Sequence, residues 1–182
     1  MNVDLAMEFE EERSQSSDEA YAAVGRALTF ATRLEAHCRV MAMMPAVKER
    51  FQKCRQTSED EDQAIASVTA EYWYERRFRH HTRDVSQNYR LPENVKDMVG
   101  RGLKARNELV HELTVGLPEA IRTDAGRNEV LHHLAVLVEQ LAEADRIVAL
   151  LIHLENGDPL PSSERYESHI ARAVAWVCEV ED

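Results

Sequence analysis

The amino-acid sequence predicts an all-α protein that folds as an antiparallel bundle of five or six helices. Its 182 residues include only 6 glycines and 5 prolines, and they are rich in alanine, leucine, glutamate and arginine, which favour helices. Apolar residues recur at the three-to-four-residue spacing of amphipathic helices through most of the chain. Several glycines and prolines fall between these periodic stretches and predict short connections, as in an antiparallel bundle.

The length predicts one domain, residues 18–182, preceded by an acidic flexible arm, residues 1–17. The arm combines four closely spaced glutamates with a serine-rich stretch. Such a segment buries too little apolar surface to offset the entropy of ordering it.

Cap residues and helix breakers predict where each helix begins and ends. Serine, threonine and aspartate are typical N-cap residues, whereas proline interrupts a helix and an Asn-Gly-Asp-Pro run ends one. The expected helices run from Ser17 or Asp18 to Pro45, from Ala46 to about Arg55, from about Gln63 to His81, from Pro92 to Gly116 and Pro118, from Thr123 or Asp124 to Asn156, and from about Ser163 to Val180.

Charge is distributed unevenly along the chain. The net charge is −11, which by itself argues against nucleic-acid binding. Residues 72–106 nevertheless carry nine lysines and arginines against four acids, so this stretch is +5 and the remainder is −16. The basic stretch predicts a local track for a polyanion such as RNA. Its candidate nucleic-acid-binding residues are Arg76, Arg77, Arg79, Arg83, Arg101 and Lys104.

Cysteine spacing and hydropathy predict the cellular compartment. Cys38, Cys54 and Cys178 lie far apart without CxxC spacing, which argues against a disulfide framework and against a thiolate zinc site. The longest strictly apolar runs, such as 147–152, are too short to span a membrane, and the N-terminus does not resemble an export signal. We therefore expect a cytoplasmic protein with no membrane association and no cofactor.

Two hexapeptides nearly repeat each other: Arg106–His111 is RNELVH and Arg127–His132 is RNEVLH. A histidine exchanges a proton near pH 7, and an arginine can hold two phosphate oxygens, so each set suits a phosphodiester. The first copy closes the basic stretch. The second lies in the first turns of a predicted core helix and is not preceded by a basic stretch, so it is expected to be structural.

The segment Lys104–Glu112 closes one predicted helix and is followed by a turn and a long amphipathic helix. In this it resembles the HEPN superfamily, whose signature is an arginine, usually followed by a polar residue, and a histidine a few positions later. The resemblance covers the motif and the helical layout of residues 18–155. It implies a small bundle that dimerises so that both motifs line one cleft and, in many members, a metal-independent ribonuclease.

The resemblance also implies roles for individual residues. His111 would act as general acid or base on the ribose 2′-hydroxyl or on the leaving oxygen, and Arg106 would neutralise charge on the scissile phosphate. Asn107 would position the phosphate or the histidine. Some toxins of this superfamily are paired with a nucleotidyltransferase antitoxin and carry a tyrosine two residues after the histidine. In those toxins the antitoxin modifies this tyrosine. This chain has Leu113 at that position, so it departs from control by that modification.

Two ExxH pairs allow a different interpretation. Glu108 with His111 and Glu129 with His132 have the spacing used by carboxylate-bridged di-iron bundles, with Glu35 and Glu143 as further ligand candidates. The two pairs lie only 21 residues apart on consecutive helices. That separation leaves no room for the intervening helix that such bundles use.

The sequence thus predicts a metal-independent endoribonuclease of a toxin–antitoxin or phage-defence system, acting on RNA as a homodimer and controlled by an antitoxin or regulatory protein. Its candidate catalytic residues are Arg106, Asn107 and His111, with no metal. The alternatives are a non-catalytic HEPN-like interaction or regulatory module and, third, a metal-binding bundle of carboxylates and histidines.

Overall fold

Helices make up most of the chain that the computed structural model describes, namely residues 15–57 and 60–178, with side chains from residue 17 onward. No strand occurs among these residues, so the predicted all-α class is confirmed. The segments are α1 (Gln15–Thr57), α2 (Glu61–Ala70) followed by a π-helical segment (Glu71–Glu75), α3 (Phe78–Asn88), α4 (Glu93–Glu108) followed by a second π-helical segment (Leu109–Leu113), α5 (Thr114–Ala120), α6 (Asp124–Asn156), α7 (Ser163–Glu167) and α8 (His169–Cys178).

The long helix α6 is the centre of the bundle and packs against α1, α4 and α8. One face of α6 is buried, with Leu134, Leu141 and Val148 fully enclosed at seven-residue spacing. Ion pairs between α4 and α6 join Arg101 to Glu143 and Glu108 to His133. Residue numbers increase from Arg101 to Glu108 along α4, whereas those of their partners decrease from Glu143 to His133 along α6, so these two helices run antiparallel.

Pro45 does not end the first helix, contrary to the sequence prediction. The helix continues to Thr57 because groups from the end of α3 bond to the carbonyls beside the proline. Pro45 has no N–H to donate to the Met41 carbonyl, but the Tyr89 hydroxyl donates to that carbonyl at 3.4 Å. Asn88 Nδ2 donates to the carbonyl of Ala42 at 3.3 Å. The predicted helices on either side of Pro45 are therefore one element.

The helix predicted over 63–81 is divided in two. The α2 helix ends in a π-helical segment, and Arg76 and Arg77 then adopt extended backbone angles before α3 begins. The break is held by Arg76, whose guanidinium contacts Glu71 and Asp84 and lies 4.0 Å from the centre of the Tyr72 ring. These contacts form only in the folded chain, so the helical period of the sequence does not show them.

Two further boundaries differ from the prediction. Gly116 and Pro118 lie inside α5, which continues to Ala120 because Leu117 and Ile121 are buried and anchor the additional turn in the core. The last predicted helix is interrupted at Ser168, where a turn separates α7 from α8. Val180, its predicted end, lies outside the described residues.

Other predicted boundaries are confirmed by their cap geometry. The Thr123 hydroxyl accepts a hydrogen bond from the N–H of Gly126 at the start of α6. Gly157 ends α6 with φ of 71°, a left-handed conformation that glycine adopts without steric cost. The predicted arm lies outside the described residues except for 15–17, which belong to the first turn of α1.

The helix that carries the first hexapeptide approaches α6 closely at Gly102. A Cβ atom built on Gly102 would lie 2.4 Å from the Cβ of Ala144, so glycine permits backbones to approach here. This contact fixes how closely α4 approaches α6 at a point one helical turn before Arg106. No described helix is long and apolar enough to cross a lipid bilayer.

Candidate functional site

The first hexapeptide lies where α4 passes into the second π-helical segment. In a regular α-helix, residues five positions apart point about 140° away from each other. The i to i+5 hydrogen bonds of a π-helical segment widen the turn and bring such residues toward one side. The Thr114 hydroxyl supports this segment by donating to the carbonyl of Val110 at 2.8 Å. Arg106 and His111 consequently line the same cavity.

That cavity, which we call the motif cavity, has a volume of about 470 Å³. It contains all three candidate catalytic residues and two of the six candidate nucleic-acid-binding residues. Its lining consists of Glu35, Arg77, Phe78, Arg79, Leu103, Arg106, Asn107 and His111. The structure thus brings α1, the start of α3 and the end of α4 together around the motif.

Arg106 is held in a fixed orientation within the motif cavity. Its Nη2 atom donates to Glu35 Oε2 at 2.8 Å, and its Nη1 atom donates to Asn107 Oδ1 at 3.3 Å. Its guanidinium also lies 5.7 Å from the centre of the buried Phe78 ring. Three contacts on different sides of one guanidinium restrict its rotamers, which lowers the entropic cost of binding an anion.

His111 is exposed at the mouth of the motif cavity. No side chain in the described part of the protein hydrogen-bonds its ring, so both ring nitrogens are accessible to a ligand. Asn107 is also exposed, and its amide group bonds the neighbouring Arg106 rather than His111. Of the two roles expected for Asn107, the geometry therefore favours positioning the arginine and its phosphate over positioning the histidine.

Arg77 and Arg79 supply positive charge that no acid neutralises among the described residues. Both are exposed, and neither forms an ion pair there. They flank the N-terminus of α3, which carries no side-chain cap. Uncapped N–H groups at a helix start attract anions, and here they lie beside two arginines on the cavity wall. The motif cavity is therefore suited to an anionic group.

The other candidate nucleic-acid-binding residues lie outside the lining of the motif cavity. Arg76 holds the α2–α3 break through Glu71 and Asp84. Arg83 contacts Asp84 at 3.4 Å, and Arg101 contacts Glu143 at 2.6 Å. Lys104 is exposed on α4. Part of the charge predicted for a polyanion track is thus used in ion pairs within the protein, as is that of Arg106, which pairs with Glu35.

His81 closely follows the cavity-lining residues Phe78 and Arg79 in the sequence, but it does not line the motif cavity. It is fully buried on α3 and stacks on Tyr72, with ring centres 6.1 Å apart. Burial, reinforced by the charge of Arg39, lowers its pKa below that of an exposed histidine. A buried neutral ring supports the packing of α3 and has no access to a substrate.

The arginine of the second hexapeptide is bound to neighbouring groups of the fold. Arg127 Nη1 donates to the carbonyl of Ile121 at 2.9 Å, and the same guanidinium forms an ion pair with Asp124. Asn128 and His132 are exposed on α6. Arg127 therefore secures the turn between α5 and α6, which agrees with the structural role expected for this copy.

Three of the six residues proposed for a metal bundle are engaged in other contacts. Glu108 contacts His133 at 2.7 Å, Glu35 binds Arg106, and Glu143 binds Arg101. Within the described ranges, no group of three histidine, cysteine, aspartate or glutamate side chains is arranged to hold a metal ion. The donor set of the di-iron interpretation is not assembled.

Glu35 and Phe78 are site residues that the sequence did not assign to the motif. Glu35 lies on α1, 71 residues before Arg106, and nothing in its local sequence indicates that partner. Phe78 reaches the cavity because the break at Arg76 and Arg77 starts a new helix there. Both positions depend on how separate helices pack.

Comparison of the chain with protein families, with curated proteins and with solved structures finds no match to any of them. Functional inference therefore depends on the chemistry of the site itself.

Proposed function

We propose that the protein is a HEPN-like, metal-independent endoribonuclease of a toxin–antitoxin or phage-defence system, with the motif cavity as its active site. One observation carries the proposal. Arg106, Asn107 and His111, the residues of the motif that resembles the HEPN signature, line a single cavity together with Arg77 and Arg79. A phosphodiester placed there would meet three guanidinium groups and an exposed imidazole.

The reaction that suits these groups is attack of a ribose 2′-oxygen on the adjacent phosphorus. His111 removes the proton from the 2′-hydroxyl, the O2′–P bond forms, and the P–O5′ bond breaks to leave a 2′,3′-cyclic phosphate. The departing O5′ takes up a proton. Arg106 neutralises the charge that builds on the non-bridging oxygens, and Glu35 acts as the positioning residue for Arg106.

Charge supports RNA as the ligand of the motif cavity. Three arginines face one carboxylate in its lining, and that carboxylate, Glu35, also pairs with Arg39 at 3.2 Å. In a chain with a net charge of −11, such a concentration of arginine is expected where an anion binds.

A homodimer is the second part of the proposal. Cleavage needs a base and an acid, and His111 is the one histidine in the lining of the motif cavity among the described residues. A second His111, from a partner copy, would supply the complementary proton transfer.

A non-catalytic RNA-binding module is the second candidate, and one observation favours it. Catalytic histidines are commonly oriented by a further hydrogen-bonded group. No described side chain performs that role for His111. A protein of this kind would bind RNA through Arg77, Arg79 and Arg106 without cleaving it.

The experiment compares RNA cleavage by the wild type, His111→Gln and His132→Gln in the presence of a chelator. His132 is the matched control because it is an exposed histidine in the same hexapeptide context. We expect His111→Gln to lose about 10²- to 10⁴-fold in rate and His132→Gln to match the wild type. The products should carry 2′,3′-cyclic phosphate ends, and 2′-deoxy substrates should resist cleavage.

Each other outcome has a defined meaning. RNA binding without cleavage by the wild type would favour the non-catalytic module. Cleavage that the chelator abolishes, or that His111→Gln retains on folded protein, would refute the proposal. Sedimentation of the wild type at assay concentration tests the dimer independently.

A further inference from the structure

A second cavity, formed by different elements, concentrates positive charge more strongly than the motif cavity does. It lies between the C-terminal half of α6, the segment 158–162, α7, the start of α8 and one residue of α1, and its volume is about 560 Å³. We call it the arginine cavity. It is lined by Arg33, Arg146, Ala149, Leu150, His153, Pro159, Leu160, Pro161, Ser162, Arg165, Tyr166, His169 and Arg172.

The lining contains four arginines and two histidines but no acidic side chain. Arg146, Arg165 and Arg172 form no ion pair with any described residue. Four guanidinium groups that face one volume repel each other. Acidic residues outnumber lysines and arginines in this chain, yet none of them lines this cavity to pair with the arginines. Their convergence is therefore suited to an anion that the protein itself does not supply.

A buried carboxylate beneath the arginine cavity orients part of its lining. Asp145 is 2% exposed and contacts Arg33 Nη2 at 2.9 Å, His37 Nδ1 at 3.2 Å and His169 Nε2 at 3.2 Å. One carboxylate balances one of the four arginines, so the cavity keeps a positive charge. Asp145 is a positioning residue, because it holds Arg33 and His169 without lining the cavity.

Polar atoms that no described group satisfies are shielded from solvent at this site. Arg146 Nε and His153 Nδ1 are buried without a hydrogen-bond partner. The Arg146 guanidinium is held 4.3 Å from the centre of the Tyr166 ring, which restricts it to the cavity wall. A ligand in the cavity cannot reach these two shielded atoms, so the part of Arg146 available to it is the remainder of the guanidinium on the cavity wall.

An adjoining cavity adds aromatic surface. It has a volume of about 400 Å³ and shares Arg33, His169 and Arg172 with the arginine cavity. Its remaining lining is Phe30, Ala173 and the half-exposed Trp176. Phe30 is only 4% exposed and the Arg33 guanidinium lies 4.5 Å from the centre of its ring, so the aromatic surface open to a ligand is that of Trp176. A flat ring could stack there while anionic groups of the same ligand contact the shared arginines.

We propose that the arginine cavity and its aromatic neighbour form a binding site for a mononucleotide. The phosphates lie among Arg33, Arg146, Arg165 and Arg172, and the base lies against Trp176. Each cavity volume falls in the range of small-molecule sites. The site shares no lining residue with the motif cavity, so it stands or fails separately from the proposed ribonuclease.

The test measures ATP binding to the full-length protein by calorimetry, with adenosine and inorganic pyrophosphate as part ligands. Arg165 and Arg172 are exposed and lack ion pairs with described residues, so the double variant Arg165→Gln/Arg172→Gln should keep the fold. Arg55→Gln, an exposed arginine in the last turn of α1, is the matched control. We expect the double variant to bind ATP at least about tenfold more weakly and the control to bind as the wild type.

The part ligands test the two halves of the site separately. Both adenosine and pyrophosphate should bind more weakly than ATP, and Trp176→Phe should reduce the advantage of ATP over pyrophosphate. No ATP binding at about 1 mM would overturn the proposal, as would ATP binding that the double variant leaves unchanged. Pyrophosphate that binds as tightly as ATP would refute the assignment of the aromatic cavity to a base. Binding of RNA without binding of any mononucleotide would show that the cavity serves a polymer instead.

Discussion

The contact between Gly102 and Ala144 predicts opposite effects for two similar substitutions on α4. A methyl group at Gly102 would lie 2.4 Å from the Ala144 Cβ and 3.3 Å from the Gln140 carbonyl oxygen. Carbon atoms in contact normally lie about 3.5 to 4.0 Å apart, so the helices would have to separate by about 1 Å. A methyl group at Gly100, on the same helix, would have no neighbouring atom within 4 Å.

The expected magnitudes follow from two terms. Replacing a helical glycine by alanine stabilises the helix by about 0.5 to 1 kcal/mol, and Gly100→Ala should show this gain alone. Gly102→Ala gains the same amount but also incurs an overpacking cost of about 1 to 3 kcal/mol. We therefore expect Gly102→Ala to be less stable than Gly100→Ala by about 1 to 3 kcal/mol.

Urea unfolding followed by circular dichroism measures both variants against the wild type. Equal m-values with shifted midpoints would show that stability alone has changed. The same separation would also displace Arg106, one turn further along α4, and lower RNA cleavage if the proposed function holds. Equal stability of the two alanine variants would refute the close approach of α4 to α6.

Two further predictions concern stability. Burial on its own raises the pKa of Asp145, but the ring nitrogens of His169 and His37, each 3.2 Å from the carboxylate, and the charge of Arg33 outweigh burial and place the pKa well below its ordinary value. A carboxyl group with a lowered pKa in the folded state stabilises the protein above the unfolded-state pKa of about 3.9, and this stabilisation is lost as the pH falls below that value. Asp145→Asn should therefore be less stable than the wild type at neutral pH. Its free energy of unfolding should also change less steeply with pH below about pH 4. An unchanged acid dependence in a pH series of urea titrations would contradict this assignment. Tyr89→Phe removes a hydroxyl that lies 3.4 Å from the Met41 carbonyl next to Pro45 and also bonds Glu155. The loss of both contacts should cost about 1 kcal/mol, measured as a lower urea midpoint. A midpoint equal to that of the wild type would show that the hydroxyl does not support α1 through the proline.

Much of the fold can be predicted from the sequence because it depends on local chemistry. The stripe through Leu134, Leu141 and Val148, the cap at Thr123 and the left-handed end at Gly157 are set by residues within a few positions of each other. The continuation of α1 through Pro45, by contrast, depends on distant partners. Pro45 lies inside a helix because Asn88 and Tyr89 bond to the carbonyls beside it.

The candidate site divides in the same way. The sequence shows the RNxxxH motif and its basic approach, since both are short-range patterns. It does not show which arginines keep their charge available, because ion pairing depends on packing. Arg77 and Arg79 line the motif cavity, whereas Arg76 and Arg101 pair with acids.

The sequence by itself determined an all-α chain and a single candidate motif, since helix propensity, capping and residue spacing are local properties. Tertiary structure decided which side chains meet. It placed Glu35 against Arg106, opened a π-helical segment around His111, and gathered four arginines around a second cavity. These arrangements arise from contacts between helices far apart in the chain, and such contacts are fixed only when the bundle packs.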